Sequence, residues 1–117
     1  MPLQRLLNEF DYDTDFVADL LFTIRNETKQ HLERMQSSLL QEKPIVPNEL
    51  QRIAHLMKST ANTVGLYELS GKADAIEQCI ATLAPSSDEQ RDEVNKLISI
   101  ATEIHDVAQK LLREIDA

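Results

Sequence analysis

Cysteine, glycine and aromatic residues are scarce in this sequence. Its 117 residues include one cysteine, two glycines and no tryptophan, and only 4% are aromatic. The single cysteine, Cys79, cannot form an internal disulfide, and no Cys/His cluster has the spacing of metal ligands. This pattern favours a reducing compartment, so we expect a cytoplasmic protein without a metal centre of its own.

Long hydrophobic runs and basic residues are also in short supply. The start of the chain, MPLQRLLNEF, lacks the continuous apolar run of a signal peptide, and no stretch approaches the length of a transmembrane helix. The chain has 12 basic and 20 acidic residues, which gives a formal net charge of −8 at pH 7. This charge repels phosphate backbones and anionic lipids, so nucleic acids and membrane surfaces are poor candidate partners.

The rest of the composition predicts one all-α domain over residues 1–117. Hydrophobic residues make up 42% and charged residues 27% of the chain, which is long enough to bury a single core. Apolar residues recur every three to four positions, which indicates helices. The sequence has no alternating run rich in Val, Ile and Thr, so strands are not expected. The first ten residues are expected to form a short amphipathic lead-in helix.

Capping residues and prolines predict where the first two long helices lie. The first is expected over residues 13–41, with Asp13 or Thr14 as its N-cap. Proline cannot sit inside a helix, so the prolines that follow end this helix, and the second begins at Pro47 or Asn48.

Similar signals predict the remaining two long helices. The second helix is expected to end near Gly65, and the third to occupy residues 66–83 and to end before Pro85. Ser86 and Glu89 form a predicted capping box for the fourth helix, which continues to the end of the chain.

Each long helix has an apolar stripe, and four such helices with short connections pack most simply as an antiparallel up-down four-helix bundle. A bundle that buries its own stripes is expected to be a monomer. The predicted inward residues are Val17, Leu21, Ile24, Thr28, Leu32, Met35 and Leu39; Leu50, Ile53, Ala54, Met57, Ala61 and Val64; Leu69, Ala73, Ile76 and Ile80; and Val94, Leu97, Ala101, Ile104, Ala108, Leu111 and Ile115.

The polar face of the second long helix is unusual because of His55. At about 100° per residue, His55 lies about 140° from the centre of the apolar stripe, so its imidazole is expected to face solvent. None of its neighbours three or four positions away along the helix surface is acidic. The residues around it are Gln51, Arg52, Lys58, Ser59 and Asn62. In so acidic a chain, a slightly basic patch without carboxylates, centred on one histidine, indicates a function.

This patch suits phosphate chemistry. An exposed imidazole is mostly neutral at pH 7, and a ring nitrogen can attack a phosphoryl group. Lys58 lies one turn away and can neutralise phosphoryl oxygens, while the small Ser59 leaves room for a partner's active site. We expect no carboxylate close to His55, because it would repel the phosphoryl group and could orient water for hydrolysis.

The segment AHLMKSTANTVGLYEL resembles the signature of histidine-containing phosphotransfer (HPt) domains. In that family His-x-x-Lys is followed by a small residue, a run of small and apolar residues, a glycine and a leucine. The matching residues are His55, Lys58, Ser59, Ala61, Val64, Gly65 and Leu69. The segment DFVADLLFTIRNETKQHLERMQSSL is similar to the helix that precedes the motif. The resemblance covers nearly the whole chain, and it departs from the family pattern at Ser59, where glycine is frequent.

The resemblance implies a phosphorelay intermediate. His55 would accept a phosphoryl group from the aspartyl phosphate of one receiver domain and pass it to another, while Lys58 and Asn62 steady the group. Gly65 would permit close packing or end its helix. The protein would have no kinase activity and no cofactor of its own, because the receiver supplies Mg²⁺. Its implied partners are response-regulator receiver domains and a hybrid sensor kinase.

A receiver docking on this protein is expected to cover the outward face around His55 and the adjoining side of the first long helix. Gln51, Arg52 and Ser59 belong to that expected surface, together with exposed apolar residues such as Leu56 or Leu66.

The sequence disfavours an enzyme and leaves an adaptor open. A di-metal carboxylate enzyme needs paired Glu-x-x-His motifs, and the sequence has none. The sequence has no glycine-rich nucleotide-binding loop, so independent kinase activity is not expected. A four-helix adaptor that binds a receiver or kinase without phosphate exchange stays open, and in that case His55 is incidental. His31 and His105 are expected to be packed or flanking residues, and Met1 favours a free-standing carrier.

Overall fold

Helices account for the regular structure of this chain wherever it is described. The computed structural model describes residues 2–40, 45–82 and 87–116, and within these ranges it contains helices and no strands. The helices are α1 (Pro2–Glu9), α2 (Thr14–Leu39), α3 (Pro47–Thr63), α4 (Tyr67–Thr82) and α5 (Ser87–Asp116). The all-α prediction is confirmed for this part of the chain. The capping box predicted at Ser86 lies outside the described residues.

The predicted beginnings of α2 and α3 are confirmed. Asp13 is the N-cap of α2, and its Oδ1 accepts a hydrogen bond from the backbone N–H of Phe16 at 3.0 Å. Pro47 occupies the first position of α3, where its missing N–H costs nothing because that group has no partner within the helix. Local sequence chemistry therefore determines where both helices begin.

The end of α3 is a Schellman turn around Gly65. The backbone N–H of Gly65 donates to the carbonyl of Asn62 at 3.1 Å, and the N–H of Leu66 donates to that of Ala61 at 2.8 Å. Gly65 has a φ of 80°, in the left-handed region that favours glycine. The helix itself ends at Thr63, two residues before the predicted boundary. This tight turn lets α4 return along α3.

The helices associate mainly as two pairs, α2 with α5 and α3 with α4. Between α2 and α5, Arg25 donates to the side chain of Gln109 at 3.1 Å, and Arg91 donates to the carbonyl of Leu39 at 2.9 Å. Residues late in α2 thus lie beside residues early in α5. Between α2 and α3, Arg34 donates through Nε and Nη2 to the two carboxylate oxygens of Glu49, each at 2.8 Å.

The predicted apolar stripes form the core of the molecule. All the predicted inward residues of α3 and α4, and Val64 after α3, are buried. The stripes of α2 and α5 are buried except at three positions that are partly buried and pack against the core, namely Leu32, Leu39 and Ile115. The Thr28 hydroxyl, fully buried in the stripe of α2, donates to the carbonyl of Ile24 at 2.8 Å, which satisfies a polar group in an apolar interior.

The short helix α1 packs at the end of the molecule where α3 turns into α4. Its Leu6 is fully buried in the core. Arg5 donates to the carbonyl of Thr63 at 2.9 Å, and its guanidinium carbon lies 5.5 Å from the centre of the Tyr67 ring. A Cβ atom added at Gly65 would lie 2.8 Å from Arg5 Nε, so the absence of a side chain there makes room for this arginine.

Candidate functional site

The imidazole of His55 projects from the outer face of α3, and its side chain is 57% exposed. The prediction that it faces solvent is confirmed. Arg52, Ser59 and Asn62 are exposed on the same face, and Leu56 beside His55 is 39% exposed. Gln51 is half-buried at the edge of this face. The helix therefore gathers the predicted site residues that lie within it on one accessible surface.

Two predicted residues stand apart from this surface. Gly65 lies in the turn after α3, where it contacts Arg5 of α1. Leu66 is half-buried and packs against the core. Both residues shape the corner between α3 and α4, so their positions fit a structural role in that turn.

A carboxylate lies directly beside His55, contrary to expectation. Nδ1 of His55 is 2.9 Å from Oε2 of Glu77, which projects from α4. The prediction of a surface without carboxylates is therefore wrong. Its physical cause is plain, since the prediction counted only neighbours within α3, whereas α4 packs along α3 and brings an acidic residue from 22 positions further on.

Lys58 is also bound by carboxylates of α4. Its Nζ donates to Oδ1 of Asp74 at 3.1 Å and to Oε1 of Glu77 at 3.0 Å. These hydrogen bonds, first that of Glu77 and then that of Asp74, raise the pKa of Lys58 above its usual value. An ammonium group has three N–H donors, and within the described residues two of them are engaged here, so a third can serve a ligand. The lysine is held one helical turn from His55 and stays cationic.

Glu77 links the two side chains by dividing its oxygens between them. Its side chain is 14% exposed, and this burial by itself raises its pKa. The hydrogen bonds from Lys58 and His55 outweigh burial, and the net result is a pKa below the usual carboxyl value. Glu77 is thus ionised at neutral pH and can only accept hydrogen bonds.

The ionised Glu77 fixes the tautomer of His55. Because the carboxylate has no proton to give, Nδ1 of His55 must carry the proton, and this N–H donates the hydrogen bond to Glu77. In the neutral imidazole the lone pair then lies on the other nitrogen, Nε2. The pair thereby provides a nucleophilic nitrogen on an exposed side chain, with a negative charge behind the ring that stabilises any positive charge it acquires.

A hydrogen bond between the two helices supports this geometry. The hydroxyl of Ser70 donates to the backbone carbonyl of Lys58 at 3.0 Å, so α4 is attached to α3 at the same level as the ion pairs. Ser70, Asp74 and Glu77 recur at helical spacing and lie on the side of α4 that faces α3. That spacing, read together with the turn at Gly65, was the sequence signal that could have revealed the two carboxylates.

His31 on α2 has a different environment from that of His55. Partial burial lowers the pKa of His31, and Arg52 lowers it further, whereas the nearby Glu27 and Glu49 raise it. The half-buried position agrees with its predicted role as a packed residue. Among the described residues, no group of three or more His, Cys, Asp or Glu side chains is arranged to hold a metal ion.

Comparison with models of known protein families shows the family of this chain. It matches the model of the Hpt domain over residues 19–115, which is most of its length. The chain therefore belongs to the Hpt domain family, as the resemblance around His55 predicted. Membership implies histidine phosphotransfer in two-component signalling, in which Hpt domains act as phosphocarriers that interact with receiver domains and kinases.

Searches among curated proteins and among solved structures gave no significant match. In the described part of the chain, none of the helices combines the length and apolarity that a membrane crossing requires.

Proposed function

We propose that this protein is a phosphorelay intermediate that accepts a phosphoryl group on His55 from the aspartyl phosphate of one receiver domain and passes it to the aspartate of another. The observation that carries the proposal is the exposed imidazole of His55, held through Nδ1 by Glu77 at 2.9 Å, in a chain of the Hpt family. The hybrid sensor kinase that we expect upstream would supply the first receiver.

The transfer uses Nε2 of His55 as nucleophile. Its lone pair forms a bond to phosphorus while the bond from phosphorus to the receiver aspartate breaks, and the aspartate leaves as a carboxylate. The proton stays on Nδ1, and this N–H keeps donating its hydrogen bond to Glu77. The carboxylate of Glu77 stabilises the positive charge on the ring. In the second transfer a carboxylate oxygen of the next receiver's aspartate forms a bond to phosphorus while the bond from Nε2 to phosphorus breaks, and His55 returns to its neutral form.

Lys58 and Asn62 would steady the phosphoryl oxygens during both transfers. The third N–H of the ammonium is available for this contact, and Asn62 is exposed two turns after His55. A Mg²⁺ ion supplied by the receiver, and not by this chain, would neutralise the remaining charge. The protein would then act without a cofactor of its own and without independent kinase activity.

The proposal includes the arrangement of the molecule. We infer one domain over residues 1–117, with α2 to α5 as an antiparallel up-down four-helix bundle and α1 as a lead-in helix. Two contacts at different levels support opposite directions within each helix pair: Arg25 with Gln109 and Leu39 with Arg91 between α2 and α5, and His55 with Glu77 and Lys58 with Ser70 between α3 and α4. A monomer in the cytoplasm agrees with the buried stripes and the single cysteine.

The receiver would dock on the outer face of α3. Leu56 supplies exposed apolar surface beside His55, and Gln51, Arg52 and Ser59 supply polar contacts around it. Serine in place of the glycine frequent in this family adds only one hydroxymethyl group, so a receiver's active site still has room to approach the imidazole.

Phosphoryl transfer from a panel of charged receiver domains tests this function. The native protein is compared with His55→Gln and with the control His105→Gln, which changes a half-buried histidine on α5. We expect rapid acid-labile, alkali-stable labelling of the native protein and the control, and none of His55→Gln. Phosphorus NMR of the labelled protein should assign the phosphoryl group to Nε2.

A four-helix adaptor that binds a receiver or kinase without phosphate exchange is the second candidate function. One observation favours it, because Asp74 and Glu77 place two negative charges near the nitrogen that a phosphoryl group must approach. An adaptor would bind a receiver and stay unlabelled, and His55→Gln would bind equally well. If receivers bind the native protein and none of them labels it, the adaptor replaces the relay as the function of this protein.

A further inference from the structure

The charges around His55 are unbalanced. Lys58 is one cation shared between two carboxylates, those of Asp74 and Glu77, so this cluster of three carries one excess negative charge. A phosphoryl group brings roughly two more negative charges to the same place. The phosphorylated state thus concentrates negative charge around a single ammonium group.

The two carboxylates have different relations to the imidazole. Glu77 contacts both His55 and Lys58, and its side chain is 14% exposed. Asp74 contacts Lys58 at 3.1 Å, and its side chain is 48% exposed. Glu77 therefore orients the ring, whereas Asp74 forms an ion pair with the lysine. Asp74 can also release that lysine easily, because water can solvate its carboxylate.

We propose that Asp74 is a positioning residue that competes with phosphorylated His55 for the ammonium of Lys58 and thereby favours onward transfer of the phosphoryl group. The inference rests on the proposed function of His55. Before phosphorylation, Asp74 and Glu77 hold Lys58 beside the imidazole. Once phosphoryl oxygens are present on Nε2, Lys58 directs its third N–H toward them and its ammonium moves away from Asp74, while Glu77 keeps Nδ1.

This exchange makes the phosphorylated state less stable than it would be without Asp74. The carboxylate of Asp74 loses its cation and repels the phosphoryl group, and both effects end when the group moves to the next receiver. The bonds formed and broken are those of the relay itself, so Asp74 changes the equilibrium of transfer and not its chemistry. A carrier benefits from this, since a phosphohistidine that is too stable would not discharge.

The test is the equilibrium distribution of label between this protein and the receiver domain that charges it fastest. We expect Asp74→Asn to raise the ratio of labelled His55 to labelled receiver about two- to fivefold, the range of an exposed ion pair. Glu68→Gln is the matched control, because it removes the same charge from an exposed position in the first turn of α4. The control should leave the ratio unchanged.

Three further measurements separate this role from a structural one. The effect of Asp74→Asn should shrink toward the native ratio in about 1 M salt, where the screening length falls to roughly 3 Å. Asp74→Glu should restore the native ratio, because it returns the carboxylate, and Lys58→Gln should lower the ratio. Circular dichroism checks that each variant is folded.

The outcomes distinguish the inference from the proposed function. If the native protein is labelled and Asp74→Asn gives the ratio of the Glu68→Gln control or a lower one, the role of Asp74 is refuted while His55 remains the carrier. If no receiver labels the native protein, both proposals fail together.

Discussion

The two faces of α3 differ in how their environments arise. The inner face consists of apolar residues that recur at helical spacing and are all buried, and the helix's own sequence specifies it completely. The outer face contains His55 and Lys58, whose hydrogen-bond partners come from α4. Periodicity thus identifies which residues of a helix are buried, whereas the charges around its exposed residues depend on the neighbouring helix.

The largest expected effect is on the free energy of unfolding, when two adjacent residues, one on each face, are substituted by alanine. Met57 is 1% exposed, and Leu56 is 39% exposed. Met57→Ala removes buried atoms and leaves a cavity, so we expect the free energy of unfolding to fall by about 2–5 kcal/mol. Leu56→Ala should change it by about 0.5 kcal/mol or less. Urea unfolding of both variants measures this, and similar losses for the two would contradict the division of the helix into faces.

A smaller loss is expected at the turn where both faces end. Gly65 has a φ of 80°, and alanine in the left-handed conformation costs roughly 1–2 kcal/mol. The added Cβ would also lie 2.8 Å from Nε of Arg5, which must then shift. We expect Gly65→Ala to destabilise the protein in urea by at least the backbone cost.

The double variant Arg5→Ala with Gly65→Ala separates the two causes at this turn. Without the arginine the steric conflict is gone, so the further loss caused by Gly65→Ala in that background should equal the backbone cost alone. If Gly65→Ala has no effect in either background, the turn after α3 does not require glycine, and the proposed reason for the end of the helix is wrong.

Much of the fold could be predicted from local sequence. Asp13 and Pro47 identified the beginnings of two helices, Gly65 identified the turn after α3, and helical spacing identified the core. These features depend on residues close together in the chain. The exposure of His55 followed from the same spacing.

The electrostatics of the site could not be predicted in this way. The partners of His55 and Lys58 are Glu77 and Asp74, which are 22 and 16 positions away. Their placement depends on the rotation of α4 about its axis and on its registry with α3, which are set by packing in three dimensions. A helix considered alone therefore showed a basic surface where the folded protein has a mixed one.

The pH dependence of stability should show the smallest effect, and it probes the outer face directly. Hydrogen bonds from Lys58 and His55 outweigh the burial of Glu77 and hold its pKa below the usual 4.5, so its contribution is complete above that pH. As the pH falls through 4.5 and then through the lower folded pKa, the unfolded chain takes up the proton first and stability is lost. Lys58 has a pKa raised above 10.5 by Glu77 and Asp74, and its contribution disappears as the pH rises through that raised value.

We therefore expect Glu77→Gln to lower the free energy of unfolding by about 1 kcal/mol or less near pH 7, with a difference from the native protein that shrinks below pH 4.5. Urea unfolding at several pH values measures this difference, and since the other titrating groups are common to both proteins, a difference that stays constant down to pH 3 would mean that the carboxylate of Glu77 does not hold Lys58 and His55 in solution.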